Sequence, residues 1–303
     1  MRIGINASGM LGNPDLKRLE TQARTAAEQG FASFWLAQAT TIDALTVITA
    51  LGRSVPNIEF GTAVIPTYPR HPTTLAGQAM TTQAIINGRL TLGIGLSHKP
   101  MIEGLYGMSF DKPIRHMREY LSILMPMINQ GEANFDGETL TGHGAITMPQ
   151  DTTPCPVLVA ALGPQMLRLA GTHTSGSVLW MVGEKTIKDH IAPRVCEAAA
   201  KAGRPTPRVV ASLPVCVTDD TASTHSRASK AFAMYGQLPS YRAMLDREGS
   251  AGPADVSIIG SEAQVKDRLS AIAEAGATEF SAVEFCKNDD ERNRTREVLR
   301  SFI

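Results

Sequence analysis

One grammar repeats along this chain and restricts its fold more than anything else: an amphipathic helix, a glycine, then a short apolar strand. Asn13 and Pro14 offer an N-cap and a first helical turn, and Leu16, Leu19, Ala23 and Ala26 supply an apolar face. Gly30 ends that helix, and Phe31 to Leu36 follows as a strand. Ser261 and Gln264 form a capping box before Val265, Leu269, Ile272 and Ala273 at helical spacing; Gly276 then precedes a strand at 279–285. The same order recurs at 164–171 before 177–180 and at 187–203 before 209–217. Helix followed by strand, with short connections, gives a parallel sheet with crossover helices.

Strands are expected near 2–6, 32–37, 58–64, 90–94, 156–160, 177–181, 209–217 and 279–285. Eight such units predict an α/β fold, a closed (β/α)8 TIM-type barrel, in a single domain over residues 1–303. A length of 303 residues fits such a barrel with insertions, since these run to about 250 residues or more. An open doubly wound sheet is the alternative, but Gly93-Ile-Gly95 continues as Leu-Ser-His and completes no GxGxxG fingerprint. Two stretches interrupt the alternation and are expected as rim insertions. Residues 131–155 predict a hairpin turned at Asp136-Gly137, read as a surface excursion, and 234–258 a short helix and loop that either shapes the pocket or runs over the surface.

Composition narrows the function. Twenty-nine basic residues balance twenty-nine acidic ones, and aromatics make up only 5%, so neither a field for nucleic acid nor a stacking platform is present. Cys155, Cys196, Cys216 and Cys286 form no CxxC pair, which excludes a zinc ribbon and fits reduced thiols. No HxH or HExxH spacing suggests a metal, and no GxSxG marks a hydrolase nucleophile. No apolar run approaches a membrane span, and the amino terminus reads as a strand, so a cytoplasmic protein without membrane or nucleic-acid partners is expected.

In parallel barrels the chemistry lies beyond the carboxyl ends of the strands. Two successive strand ends here are chemically loaded: 58–64 runs into Pro66-Thr-Tyr-Pro-Arg-His-Pro72, and 90–94 into Gly95-Leu96-Ser97-His98. An imidazole at that second mouth can exchange a proton near neutral pH, so His98 is the candidate catalytic residue; the alternative is a pocket contact without proton transfer. Ala160-Ala161-Leu162-Gly163 before Pro164 forms a small-residue entry to a helix, where an anion can meet backbone N–H groups. Trp180 and Met181 end the sixth strand and either wall a substrate pocket or belong to the core. Arg70 and His71 are either a solvated charge and a helix-end residue or a contact for an anionic ligand. The run Arg115-His116-Met-Arg118-Glu119 reads as surface ion pairs.

GTAVIPTYPRHP at 61–72, LAGQAMTTQAIINGRLTLGIG at 75–95 and AALGPQMLRLAG at 160–171 resemble, in order and spacing, the luciferase-like flavin and deazaflavin oxidoreductases. The likeness extends from about residue 2 to about residue 301, and through 95–121 it is to the branch using coenzyme F420. It implies an F420-dependent oxidoreductase, a reductase or dehydrogenase, that transfers a hydride to or from a small organic molecule. The same fold would otherwise serve an FMN-dependent two-component monooxygenase, or a protein that binds flavin or deazaflavin without turnover. Carried onto this sequence, the likeness places a non-prolyl cis peptide at Ala63–Val64 behind the cofactor ring. It places the cofactor phosphate at Ala160, Ala161, Leu162 and Gly163. Gly95, Leu96, Ser97, Gln38, Arg70 and His71 are further cofactor contacts, and a homodimer is expected. Sugar-phosphate dehydrogenases of this branch carry an acidic residue where His98 stands and an Asp-His pair where this chain has Leu36-Ala37-Gln38-Ala39. Their mechanism therefore does not transfer.

Overall fold

The computed structural model describes every residue except 13, 14, 39, 41 and 149. Eight parallel strands close a barrel: β1 (Arg2–Asn6), β2 (Ser33–Leu36), β3 (Glu59–Thr62), β4 (Leu90–Gly95), β5 (Val157–Ala160), β6 (Gly176–Trp180), β7 (Arg208–Val217) and β8 (Glu279–Glu284). Each pairs with the next, and β8 returns to β1 through Arg2↔Glu279 to Ile5↔Ala282. The eight strands lie where the helix–glycine–strand repeat places them. The third differs: it breaks after Thr62 and resumes at Ile65–Pro66.

Helix starts follow local chemistry. The expected cap at Asn13 and Pro14 falls outside the described residues; the cap of Leu16–Glu28 is Asp15, whose carboxylate accepts the N–H groups of Lys17 and Arg18. Leu19, Ala23 and Ala26 are buried on that helix, whereas Leu16, in its first turn, is exposed. The capping box at Ser261 and Gln264 forms, with reciprocal bonds of 3.4 and 2.9 Å. The hairpin pairs Glu132–Asp136 with Thr141–Ala145. Asp136 is still paired, with Thr141, so the turn spans 137–140 rather than the expected Asp136-Gly137.

Inside the barrel, alternate residues of each strand stack in layers. The lowest layer is charged. Arg208 donates to Glu59 at 2.8 Å, to Glu279 at 2.7 Å and to the Thr91 hydroxyl at 3.1 Å. Glu279, fully buried, also accepts Ser33 Oγ at 2.5 Å and Trp35 Nε1 at 3.0 Å. Burial would raise the Glu59 pKa, but the Arg208 and Arg2 guanidinium groups outweigh it and hold the carboxyl below its usual range. Above this lies an apolar layer of Trp35, Leu158, Val178 and Val210. Gly61 makes room for the indole, because a Cβ there would stand 2.2 Å from Trp35 Cε3.

Two residues further along the strands come Asn6, Ala160, Trp180 and Ser212. Asn6 Nδ2 donates to Ser212 Oγ at 3.0 Å across an intervening strand, which proves that both point inward. This uppermost layer is the floor of the barrel mouth. Arg208→Met would leave the buried Glu279 and the half-buried Glu59 short of their shared cation, and we expect it to cost about 3 kcal/mol of stability, read from urea unfolding midpoints.

Candidate active site at the barrel mouth

The break in β3 builds one half of the mouth. Phe60 and Gly61 pair with Leu90 and Thr91, but Ile65 and Pro66 pair with Ile94 and Gly95, so β3 carries one residue more than β4 over this interval. That is a bulge, and the peptide bond between Ala63 and Val64 within it is cis, at the pair expected. Its neighbours hold it on both sides. The Ala63 N–H reaches Leu36 O at 2.8 Å, the Gln38 N–H reaches Val64 O at 3.2 Å, and Thr62 Oγ1 both donates to Gly93 O and accepts from Gly93 N. Only glycine fits opposite: a Cβ on Gly93 would meet Thr62 O at 1.9 Å, and one on Gly95 would meet Val64 Cγ2 at 2.7 Å. With Ala160 beside them, these residues leave a flat, small-sided floor.

Next around the mouth is the turn 160–163. Gly163 caps helix Pro164–His173 without any side-chain hydrogen bond, and a Cβ on it would meet nothing within 4 Å. The first intrahelical bond runs from Leu167 N–H to Gly163 O, so the N–H groups of Gln165 and Met166 precede the ladder. The turn is braced from behind by the buried His190, whose Nε2 lies 2.7 Å from Leu162 O. Ala161 is buried and Leu162 partly so, which makes them supports of the turn more than its surface.

Beyond the ends of β4 and β6, on either side of that turn, the mouth is aromatic. His98 caps the short helix Lys99–Gly104 without a side-chain bond to it, and its ring stands edge-on to Tyr241 (5.8 Å) and Tyr235 (6.3 Å). Tyr235 in turn meets Trp180 at 5.9 Å, and Phe232 meets Trp180 at 5.8 Å. Burial lowers the His98 pKa below its ordinary value, so its ring is neutral at pH 7. Trp180 Nε1 is buried and makes no hydrogen bond of acceptable geometry, although its proximity partly opposes the burial that raises the Tyr235 hydroxyl pKa. Ser97 (φ 61°) and Met181 (φ 55°) turn left-handed at their strand ends, which is uncommon outside glycine. Met181 itself is fully buried, so of the Trp180 and Met181 pair only Trp180 faces the mouth.

The remaining expected residues serve the rim. Gln38 Oε1 accepts Ala44 N–H at 2.8 Å, and its Nε2 donates to Ile42 O at 3.3 Å. Arg70 pairs with Asp43. His71 Nδ1 accepts Thr73 N–H as a helix cap while Nε2 lies 2.9 Å from Thr141 O in the hairpin. The 115–119 run is not a surface feature throughout. Arg115 pairs with Glu138, but His116 and Glu119 are buried, Glu119 because Glu138, Thr139 and Leu140 offer it three N–H groups and a hydroxyl. Sequence reasoning missed Phe232 and His190, and reached Tyr235 and Tyr241 only as part of the 234–258 insertion, without singling them out. The spacing of three aromatics across 232–241, in a chain so poor in them, was the available signal for Phe232, Tyr235 and Tyr241.

A cavity of about 240 Å³ lies at the other end of the barrel, among Asn57, Glu59, Arg89, Thr91 and Pro156. It borders the ionic layer at the strand amino ends, where parallel barrels carry stability rather than chemistry. Among the described residues no group of three or more His, Cys, Asp or Glu side chains could hold a metal ion, and no helix is long and apolar enough to cross a membrane.

Comparison with known proteins agrees with this geometry. The luciferase-like monooxygenase family matches residues 1–279. A protein of Mycobacterium tuberculosis described as a putative coenzyme F420-dependent oxidoreductase is 27% identical over 78% of this chain and 72% of its own. The F420-dependent tetrahydromethanopterin reductase of Methanopyrus kandleri superposes with a TM-score of 0.81 at 18% identity, over 99% of this chain and 96% of that one. The FMN-bound oxygenating constituent of 3,6-diketocamphane monooxygenase from Pseudomonas putida gives 0.77, also at 18%, over 99% and 96%. At that identity the two structures share the fold. The chain belongs to the luciferase-like monooxygenase family and is a luciferase-like oxidoreductase.

His116 supports the loop that follows the bulge. Its ring stacks on Tyr68 at 3.9 Å, and its Nε2 lies 3.0 Å from Thr67 Oγ1, while the Thr67 N–H bonds Gly95 O. Burial lowers its pKa from 6.5 to about 4. An unfolded chain therefore takes up this proton first: the contribution is whole above pH 6.5 and is lost as pH falls toward 4. From pH 7 to pH 5 the wild type should lose about 2 kcal/mol more stability than His116→Phe, measured by denaturant unfolding at both values.

Proposed function

We propose that this oxidoreductase binds coenzyme F420 across the barrel mouth and transfers a hydride between it and a small organic substrate. One observation carries the reading: the bulge at Ala63–Val64, backed by Gly93 and Gly95, shares its floor with an uncapped helix N-terminus open at Gly163. A planar ring needs a flat, small-sided support, and a phosphate needs unpaired N–H groups at a helix start. The residues present fit both. The relative from M. tuberculosis, described as F420-dependent, supports the deazaflavin. FMN has the same two parts and is the second reading, supported by the P. putida structure.

When bound, the deazaflavin supplies the hydride-carrying ring. The chain does the rest. Ala63, Val64, Gly95 and Ala160 present the surface that supports one ring face. Gln165 and Met166 offer N–H groups to the phosphate, with the helix dipole adding to the attraction. His98, neutral at pH 7, accepts or returns the proton that accompanies hydride transfer at its imidazole nitrogen. The aromatic wall excludes water.

Binding of F420 and FMN to the purified protein, side by side, tests this. F420 should bind at least about tenfold more tightly. The reverse preference moves the assignment to an FMN oxygenase, and binding of neither removes the cofactor assignment. Gly163→Asp separates site from fold: the position has room, and aspartate is a good N-cap, so stability should hold or rise by up to about 1 kcal/mol. Its carboxylate would occupy the phosphate position, and F420 affinity should fall about tenfold or more. His98→Gln should lower turnover by about 10²–10⁴-fold with F420 affinity little changed.

A further inference from the structure

The mouth has two unlike surfaces, and the aromatic one, whose rings come from the ends of β4 and β6 and from 232–241, is not needed to hold a ring or a phosphate. Trp180, Phe232, Tyr235, Tyr241 and His98 form a continuous edge-to-face wall there, each ring centroid within 5.0–6.3 Å of a neighbour. Three separate parts of the chain make it: the end of β4, the end of β6, and the segment containing the 3-10 turn Ala233–Gln237 and helix Pro239–Glu248.

We propose that this wall is the substrate site, and that it takes an uncharged, mainly apolar molecule of about one ring in size, bearing a single acceptor oxygen of the ketone or alcohol kind. This rests on the mouth being the oxidoreductase site argued above. The size and shape follow from the ring geometry, which favours edge contacts with a flat or puckered ring. The polarity follows from what the wall carries. Its polar atoms, Trp180 Nε1, the two tyrosine hydroxyls and a His98 nitrogen, can all donate a hydrogen bond. Burial raises both tyrosine pKa values, so the hydroxyls keep their protons. Trp180 Nε1, a donor only, stands close to the Tyr235 hydroxyl but in poor hydrogen-bond geometry, so a better-placed acceptor oxygen can take it up.

Charge is excluded by the same surroundings. Burial is the leading influence on His98, Tyr235 and Tyr241, whereas Arg194 and Arg247 both act on His190 behind the phosphate turn. A carboxylate or phosphate ester seated among these rings would lose its hydration. The chain leading away from His98 exposes Met101, Leu105, Tyr106 and Met108, and its Lys99 and Glu103 pair with each other.

The test measures dissociation constants for acetophenone, 1-phenylethanol, benzoate and phenyl phosphate by calorimetry, with and without F420. F420 binding is followed in the same samples by its own fluorescence. We expect acetophenone or 1-phenylethanol to bind at least about tenfold more tightly than either anion. Quenching of Trp180 emission should accompany binding and vanish in Trp180→Phe, in which Trp35 still reports folding. Tyr241→Leu provides a second, milder variant and should weaken the ketone about threefold or more with F420 affinity unchanged. Benzoate or phenyl phosphate binding as tightly as the ketone overturns the proposal. So does an absence of ketone binding, or ketone affinity indifferent to both variants. A protein that prefers the ketone yet fails to bind F420 upholds the neutral site and removes the cofactor reading. One that binds F420 without this preference does the reverse.

Discussion

A closed barrel must fill its own axis, and here the filling begins with a charge. Glu279 is sealed from water at the strand amino ends, and its carboxylate is tolerable only because Arg208, Ser33 and Trp35 all donate to it. That arrangement fixes Trp35 upright, so the indole blocks the axis one layer higher with Leu158, Val178 and Val210. Nothing bulky is then required above it on the β3–β5 side. The space that becomes the mouth exists because the floor beneath it is already complete.

The bulge converts that space into a shaped surface. One extra residue in β3 moves Ala63 and Val64 toward the axis, and the glycines of β4 yield to them. Beyond, Ala160 and Gly163 keep side chains low up to the start of a helix. Past the ends of the flanking strands β4 and β6 the side chains are large and aromatic. Part of the mouth presents backbone and part presents rings, and this division separates what a shared family scaffold holds from what this chain selects.

Much of the scaffold was legible. Gly30 and Gly276 end helices with φ of 84° and 103°, a conformation that favours glycine, and the strands they announce are there. The cis peptide at 63–64 was legible only through the family resemblance, since Gly-Thr-Ala-Val by itself could belong to any barrel strand. What could not be read were features set by distant partners. Glu119 looks like a surface charge until the hairpin loop brings three N–H groups to it, and His116 until Tyr68 covers it. Tyr235 and Tyr241 join His98 only through the folding of the 232–248 segment onto the end of β4, a contact across more than a hundred residues. For Arg70 and His71 the sequence left two roles open, and the structure engages them in a rim ion pair and a helix cap.

The Glu248 carboxylate has a consequence for how such a chain can change. It accepts the N–H groups of Lys185 and Thr186, just past Trp180, and lies so near Gly183 that a Cβ there would stand 2.4 Å from it. Helix Pro239–Glu248 is thereby pinned at its far end to the loop that carries the wall's tryptophan. The segment behaves as a detachable cassette with two fixed ends, one continuous with the chain near Phe232 and one clasped at Glu248. The hydrogen bonds that hold the bulge and the Leu162 carbonyl of the phosphate turn come from outside this segment. Lineages sharing this barrel would then diverge in what they admit faster than in what they hold.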